Sequence, residues 1–189
     1  NIIANEMEGK FVPISAPAIT KIGDLAAVLV NLDMGDVLFI DEIHRLPKVV
    51  EEVLYSAMED YKIDIPVGSD SSATVRTIEI SPFTLIGATT RCGDISAPLR
   101  DRFGIVNQIN YYTIEELKDI VIRTSKVFNY TIDLDAAYEI AKRSRGTPRI
   151  ANRLFRRVRD FSQFYDSENN GIKLEITNLG LLKLNIDSY

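Results

Sequence analysis

Four consecutive apolar residues, Val37-Leu38-Phe39-Ile40, run directly into two acids, Asp41 and Glu42. A run this short and this uniformly apolar reads as a central strand buried on both faces, the habit of parallel sheets. Parallel strands need crossover connections, and the flanking sequence offers them. Phe11-Val12-Pro13-Ile14-Ser15 reads as a short strand. Ile19 to Leu32 has helical spacing, with Leu25, Val28, Leu29 and Leu32 on one face. Pro47 suits the first turn of a helix over Val49 to Glu59. Phe83 to Ala88 and Ile105 to Ile109 read as two further strands. Ile63 to Val67 and Val75 to Ile80 flank Gly68-Ser69-Asp70-Ser71-Ser72, the pattern of a β-hairpin with a polar tip. Strands alternating with helices predict an α/β fold with a parallel sheet.

From Thr113 the pattern changes to helix only. Thr113 and Glu116 form a capping box for a helix to about Val127. Asp135 to Arg145 reads as a second helix stopped at Gly146. Thr147 caps a third with Pro148 at its first position, and Thr177 caps a short fourth. The expected organisation is an α/β domain over 1–112 and a small all-α domain over 113–189. Asn1 to Met7 reads as the end of an amphipathic helix with no start signal, so the chain is expected to begin inside a helix. A formal net charge of -5 argues against a dedicated nucleic-acid-binding domain within these residues. No apolar run is long enough to span a bilayer. The single cysteine, Cys92, leaves no internal disulfide framework and fits a reducing, cytoplasmic setting.

The acids at the end of the central strand carry the chemistry. In open parallel sheets, ligands bind beyond the carboxyl ends of the strands. An Asp there can hold Mg²⁺ through water, and the next acid can polarise an attacking water. A strand end capped by two solvated acids has the same pattern. Thr84-Leu85-Ile86-Gly87-Ala88-Thr89-Thr90-Arg91 ends a second strand in small polar residues, which can bring a hydroxyl beside Asp41. Ala97-Pro98-Leu99-Arg100-Asp101-Arg102-Phe103 sets arginines on a short helix, either as surface charge or within reach of a neighbouring subunit's nucleotide. Gly146-Thr147-Pro148-Arg149 puts an arginine in the first turn of a helix, where the helix dipole disfavours it; a contact with phosphates would account for the placement.

Together, in this order and spacing, these segments resemble the AAA+ family of ATPases, and within it the bacterial motors that drive Holliday-junction branch migration. Asp41-Glu42-Ile43-His44-Arg45-Leu46, Pro98-Leu99-Arg100-Asp101-Arg102-Phe103-Gly104 and Gly146 to Leu154 carry the likeness, which covers nearly the whole chain. The resemblance implies a P-loop NTPase core followed by a helical lid domain, with ATP and Mg²⁺ as cofactors. By position it implies Asp41 as the magnesium acid and Glu42 as the catalytic base. Thr90 is implied as the sensor of the γ-phosphate, with Thr89 as the fallback. Arg102 is implied as an arginine finger acting on a neighbouring subunit, with Arg100 as the lesser candidate, and Arg149 as the second sensor. Glu59, Asp60, Tyr61 and Tyr112 match family positions near bound nucleotide. The hairpin around Gly68 matches the one that docks RuvA, the family's junction-binding partner. The parent would be a hexameric ring, gripping Holliday-junction DNA mainly through a C-terminal winged-helix domain.

Two departures stand out. The phosphate loop G-x-x-x-x-G-K-[ST] and the winged-helix domain are absent from these residues, so residues 1–189 alone are expected to bind ATP poorly and hydrolyse it negligibly. Other readings are a DExH-box helicase, which Asp41-Glu42-Ile43-His44 literally spells, a clamp-loader subunit, or an AAA+ adaptor without turnover. The helicase reading lacks its second RecA-like domain, and intact Asp41, Glu42 and Arg102 argue against the adaptor. His44 is expected to make a satisfied polar contact, Cys92 to be unreactive, and Phe155, Phe161 and Phe164 to lie in the small-domain core. The basic stretch from Lys142 to Arg159 is expected to be a solvated helix face, with a subunit contact as the alternative.

Overall fold

The computed structural model describes residues 2–67, 74–165 and 171–186. The chain divides into two compact units, 1–106 and 107–189.

The first unit opens with helix α1 (Ile2–Glu6) and strand β1 (Phe11–Ser15). Helix α2 (Ile22–Leu29) follows, then β2 (Val37–Asp41) and α3 (Lys48–Glu59). The hairpin strands are β3 (Lys62–Val67) and β4 (Thr74–Glu79), followed by β5 (Thr84–Gly87) and the one-turn helix α4 (Ala97–Arg100). The main sheet has the order β1-β2-β5, with both pairs parallel. The apolar run therefore occupies the middle strand, as its composition requires: Val37, Leu38 and Ile40 are fully buried. The crossover helices cover the sheet with apolar faces, Leu25, Ala26 and Leu29 on α2 and Val50, Val53, Leu54 and Ala57 on α3. Helix α2 is shorter than its apolar spacing suggests, because Asp24 accepts bonds from the Thr20 and Lys21 amides (3.0 and 3.1 Å) and sets the start after them. Ile19 and Leu32 still join the core from outside the helix.

The hairpin pairs antiparallel from Lys62↔Glu79 to Val67↔Thr74. Its expected tip, around Gly68, lies outside the described residues. Ile105 to Ile109 do not form a strand. Ile105 and Ile109 are 79% and 89% exposed, and among the described residues no strand pairs with them. β-branched propensity alone does not make a strand without ladder hydrogen bonds.

The second unit comprises α5 (Ile114–Val127), β6 (Thr131–Ile132), α6 (Leu134–Lys142), α7 (Pro148–Tyr165), β7 (Gly171–Ile172) and α8 (Leu174–Lys183). Leu117, Val121, Ile140, Leu154, Phe155 and Val158 fill its core. The capping box forms: Thr113 Oγ1 accepts from Glu116 N (3.3 Å), and Glu116 Oε2 accepts from Thr113 N (2.8 Å). The parallel pair β6–β7 was not legible, since two-residue strands leave no periodicity. Three expectations need correction. The second helix ends at Lys142 rather than Arg145, and the turn that follows carries positive φ at Arg145 (49°) and Gly146 (71°). Thr177 is no cap: it lies buried inside α8, donating to the Lys173 carbonyl one turn back (3.0 Å). Phe164 is 84% exposed, because the buried face of α7 runs through Ala151, Leu154, Phe155, Val158 and Ser162 and misses it. Phe155 is in the core, and Phe161 is half-buried against Tyr165. Along the basic stretch, Arg153, Arg156 and Arg157 face solvent.

Candidate functional site

β2 delivers Asp41 to the carboxyl edge of the sheet, where its side chain is exposed. Its Oδ1 turns back to accept the Glu42 amide (3.1 Å). Glu42 adopts a left-handed backbone conformation (φ 54°, ψ 41°) before a short 3₁₀ turn over Ile43–Arg45. A non-glycine residue held there costs on the order of 1 kcal/mol, and such outliers collect at functional sites.

The ladder then brings the second segment alongside. Ile40 pairs with Gly87, Ala88 N donates to Ile40 O (2.9 Å), and Ile43 N donates to Ala88 O (3.0 Å). Gly87 suits this close approach, since a Cβ there would stand 2.9 Å from Ile43 Cδ1 and 3.2 Å from Phe103 Cζ and would push those side chains aside. Thr89 and Thr90 therefore leave the sheet beside Asp41 and Glu42. Their hydroxyls differ: Thr89 Oγ1 lies 2.9 Å from His44 Nδ1 and accepts the Arg91 amide (2.9 Å), whereas Thr90 is exposed. His44 Nε2 in turn lies 3.4 Å from Glu42 Oε2, so the polar contact expected of the lone histidine is present.

Arg102 belongs to the same unit. Its NH1 donates to the Pro98 carbonyl (2.7 Å), its Nε stands 3.1 Å from Glu59 Oε1 as an ion pair without hydrogen-bond alignment, and its guanidinium lies 4.4 Å over the Tyr55 ring. Only 25% of the side chain is exposed, against 47% for Arg100, which is 4.0 Å from Asp101. Reaching a neighbouring subunit would require Arg102 to give up these contacts. Glu51, Tyr55 and Glu59 recur one turn apart on α3 and form a platform that the sequence reading missed. Tyr55 OH donates to Glu51 Oε1 (2.8 Å) and lies 3.2 Å from Ser96 Oγ, which also bonds Glu51 and caps α4. Burial pushes the Tyr55 phenol up, as does the Glu51 carboxylate beside it. The four-residue spacing of polar groups beside an apolar face was the available signal.

Tyr61, also at positive φ (52°), lines a small pocket with Met58, Arg102 and Phe103, and Asp60 closes α3. At about 150 Å³ the pocket is smaller than a nucleotide-sized cleft. Tyr112 and Arg149 lie in the second unit. Tyr112 N donates to Gly146 O (3.0 Å), and Arg149 is exposed in the first turn of α7. Cys92 is exposed. No helix among the described residues is long and apolar enough to cross a membrane. Among them there is also no cluster of three or more His, Cys, Asp or Glu side chains that could enclose a metal ion. A lone exposed carboxylate such as Asp41 fits a magnesium ion held mostly by water and phosphate oxygens.

Residues 1–109 match the model of the Holliday junction DNA helicase RuvB P-loop domain, and residues 112–187 that of the RuvB AAA lid domain. The chain is 59% identical over 186 residues to the Holliday junction branch migration complex subunit RuvB of Acholeplasma laidlawii, covering 98% of this chain and 55% of that protein. The solved Thermotoga maritima RuvB Holliday junction branch migration motor superposes with a TM-score of 0.86 at 47% identity, over 99% of this chain and 57% of that one. NtrX from Brucella abortus, solved with ATP, superposes with a TM-score of 0.67 at 16% identity over 89% of this chain and 42% of that one, a likeness of fold alone. The chain spans about half the length of the curated relative it matches.

Proposed function

This chain belongs to the RuvB family, with an α/β P-loop NTPase fold and a helical lid domain, and from that premise we propose that it is the ATPase part of a motor driving Holliday-junction branch migration in recombination and DNA repair. The observation that carries the reading is the meeting of Asp41, Glu42 and the Thr89–Thr90 strand end at one sheet edge. Asp41 would hold magnesium through water, and Glu42 would take the proton from the attacking water. When bound, magnesium neutralises charge on the phosphates of ATP. Thr90, exposed while Thr89 is engaged by His44, is the hydroxyl facing the γ-phosphate. Arg102 acts as the finger on a neighbouring subunit's nucleotide, with Glu59, Asp60 and Tyr61 near it. Tyr112 and Arg149 contact the nucleotide from the lid. The active form is a cytoplasmic hexameric ring. The β3–β4 hairpin docks RuvA, and DNA is gripped by further domains.

The test uses the full-length protein. Arg102→Ala should abolish ATP turnover and spare ATP binding. Rings mixed from Arg102→Ala and Asp41→Asn subunits should regain activity where an intact Asp41 meets a neighbour's intact Arg102. No recovery in mixed rings would refute the action in trans.

A further inference from the structure

His44 is the chain's single histidine, and its side chain is only 8% exposed. Both ring nitrogens have partners: Nδ1 is 2.9 Å from Thr89 Oγ1, and Nε2 is 3.4 Å from Glu42 Oε2. The hydrogens follow from what each group can do. A carboxylate only accepts, so holding Glu42 requires the proton on Nε2. In the neutral ring carrying that proton, Nδ1 is the acceptor and the Thr89 hydroxyl its donor; a charged ring would donate from both nitrogens and still join Thr89 to Glu42. That hydroxyl also accepts the Arg91 amide (2.9 Å), which ties the 89–91 segment to the ring. Arg91 N–H donates to Thr89 Oγ1, Thr89 Oγ1 shares a hydrogen bond with His44 Nδ1, and His44 Nε2 stands in polar contact with Glu42 Oε2.

We propose that His44 is a positioning residue: it couples the Thr89–Thr90–Arg91 segment to the Glu42 carboxylate and restricts that carboxylate to one orientation. The proposal rests on the reading of Glu42 as the base. Glu42 needs such a restraint because it sits at the exposed sheet edge, on a left-handed residue whose side chain is 36% exposed. The 3.4 Å separation is long for a hydrogen bond, and catalytic contacts commonly tighten only with substrate present. A displacement of Thr90 would pass through its neighbour Thr89 to the buried ring and so to Glu42. The nucleotide-sensing segment and the base would then move together.

Two measurements test this. In the 189-residue chain, the imidazole ¹⁵N signals come from one residue. Thr89→Val should shift Nδ1 and leave Nε2, whereas Glu42→Gln should shift Nε2 and leave Nδ1. A ring indifferent to both changes overturns the coupling. In the full-length protein, His44→Ala and Thr89→Val should each lower kcat about tenfold to a hundredfold, part of the roughly 10²–10⁴ that a general base contributes. The KM for ATP should stay within about twofold. His44→Gln, whose amide N–H can replace Nε2–H, should recover much of the loss, and the double variant should be no worse than His44→Ala. Unchanged kcat in His44→Ala, a loss carried by KM alone, or His44→Gln folded yet as slow as His44→Ala would each overturn the proposal. Glu42→Gln, measured alongside, separates the two claims. If it still hydrolyses ATP, the base assignment itself fails; if it is dead while His44→Ala turns over normally, only the positioning role fails.

Discussion

Gly146→Ala should destabilise the helical unit by about 0.5 to 3 kcal/mol, with the centre of the range at about 2, for reasons that can be added up. Gly146 has φ +71°, and an L-residue in that region loses about 1–2 kcal/mol. Alanine returns about 0.4–1 kcal/mol by restricting the unfolded chain. The space is also closed: a Cβ would stand 2.7 Å from Tyr111 Cβ and 3.0 Å from its Cδ1. The Tyr111 ring is exposed and can swing away, but its Cβ is tied to the backbone, so residues 111–112 must shift. That shift strains the Tyr112 N–H to Gly146 O bond (3.0 Å), and a hydrogen bond of this kind is worth about 0.5–1.5 kcal/mol. For a unit of this size each kcal/mol moves Tm by about 4–8 °C, so a fall on the order of 10 °C is expected in thermal unfolding followed by far-UV circular dichroism. Tyr111→Gly removes the clashing atom, and in that background the alanine should cost less. A Gly146→Ala protein within about 0.5 kcal/mol of the parent, the range of an ordinary surface change, would refute both the strain and the contact.

Gly9→Ala should be worse tolerated than a surface change, since its Cβ would meet the Gly35 carbonyl oxygen at 2.1 Å, and a backbone atom cannot rotate away; urea unfolding with an unchanged midpoint would contradict this. Acid should loosen the start of α5. The Thr113 amide, then its hydroxyl, holds the Glu116 carboxyl below its ordinary value of 4.5. A depressed folded-state pKa gives stability that is present above the unfolded value and lost as pH falls through the folded one. Amide exchange at Thr113 and Glu116 should therefore quicken below about pH 4.5 in the parent and show no such step in Glu116→Gln.

What could be read from the sequence was what local chemistry decides. Val37 to Ile40 can satisfy its apolar side chains only in the middle of a sheet, and it sits there. Thr113 and Glu116 satisfy each other's amides within one turn, so their cap needed no tertiary information. The failures are contacts between distant segments. Ile105 to Ile109 has strand composition but, among the described residues, no neighbouring strand to bond. Thr177 resembles a cap, but its hydroxyl bonds the Lys173 carbonyl from within the helix, a choice decided by where α8 begins.

The same division runs through the site. Asp41 and Glu42 follow an apolar strand, so their place at its carboxyl end could be read directly. The different surroundings of the two threonines could not, because residue type is identical at 89 and 90 and only the fold shows that His44 contacts the first and leaves the second exposed. Arg102 is the sharper case. As sequence it is an arginine two residues after another on a one-turn helix; as structure it is held by Tyr55 and Glu59 from the middle and end of α3. That helix begins soon after the turn carrying Glu42 and His44, so the two clusters are near neighbours along the chain. Any reading in which Arg102 reaches a neighbouring subunit must account for the loss of the Tyr55 and Glu59 contacts. Glu51, Tyr55 and Ser96 therefore belong to the arginine's machinery as much as the residues beside it in sequence.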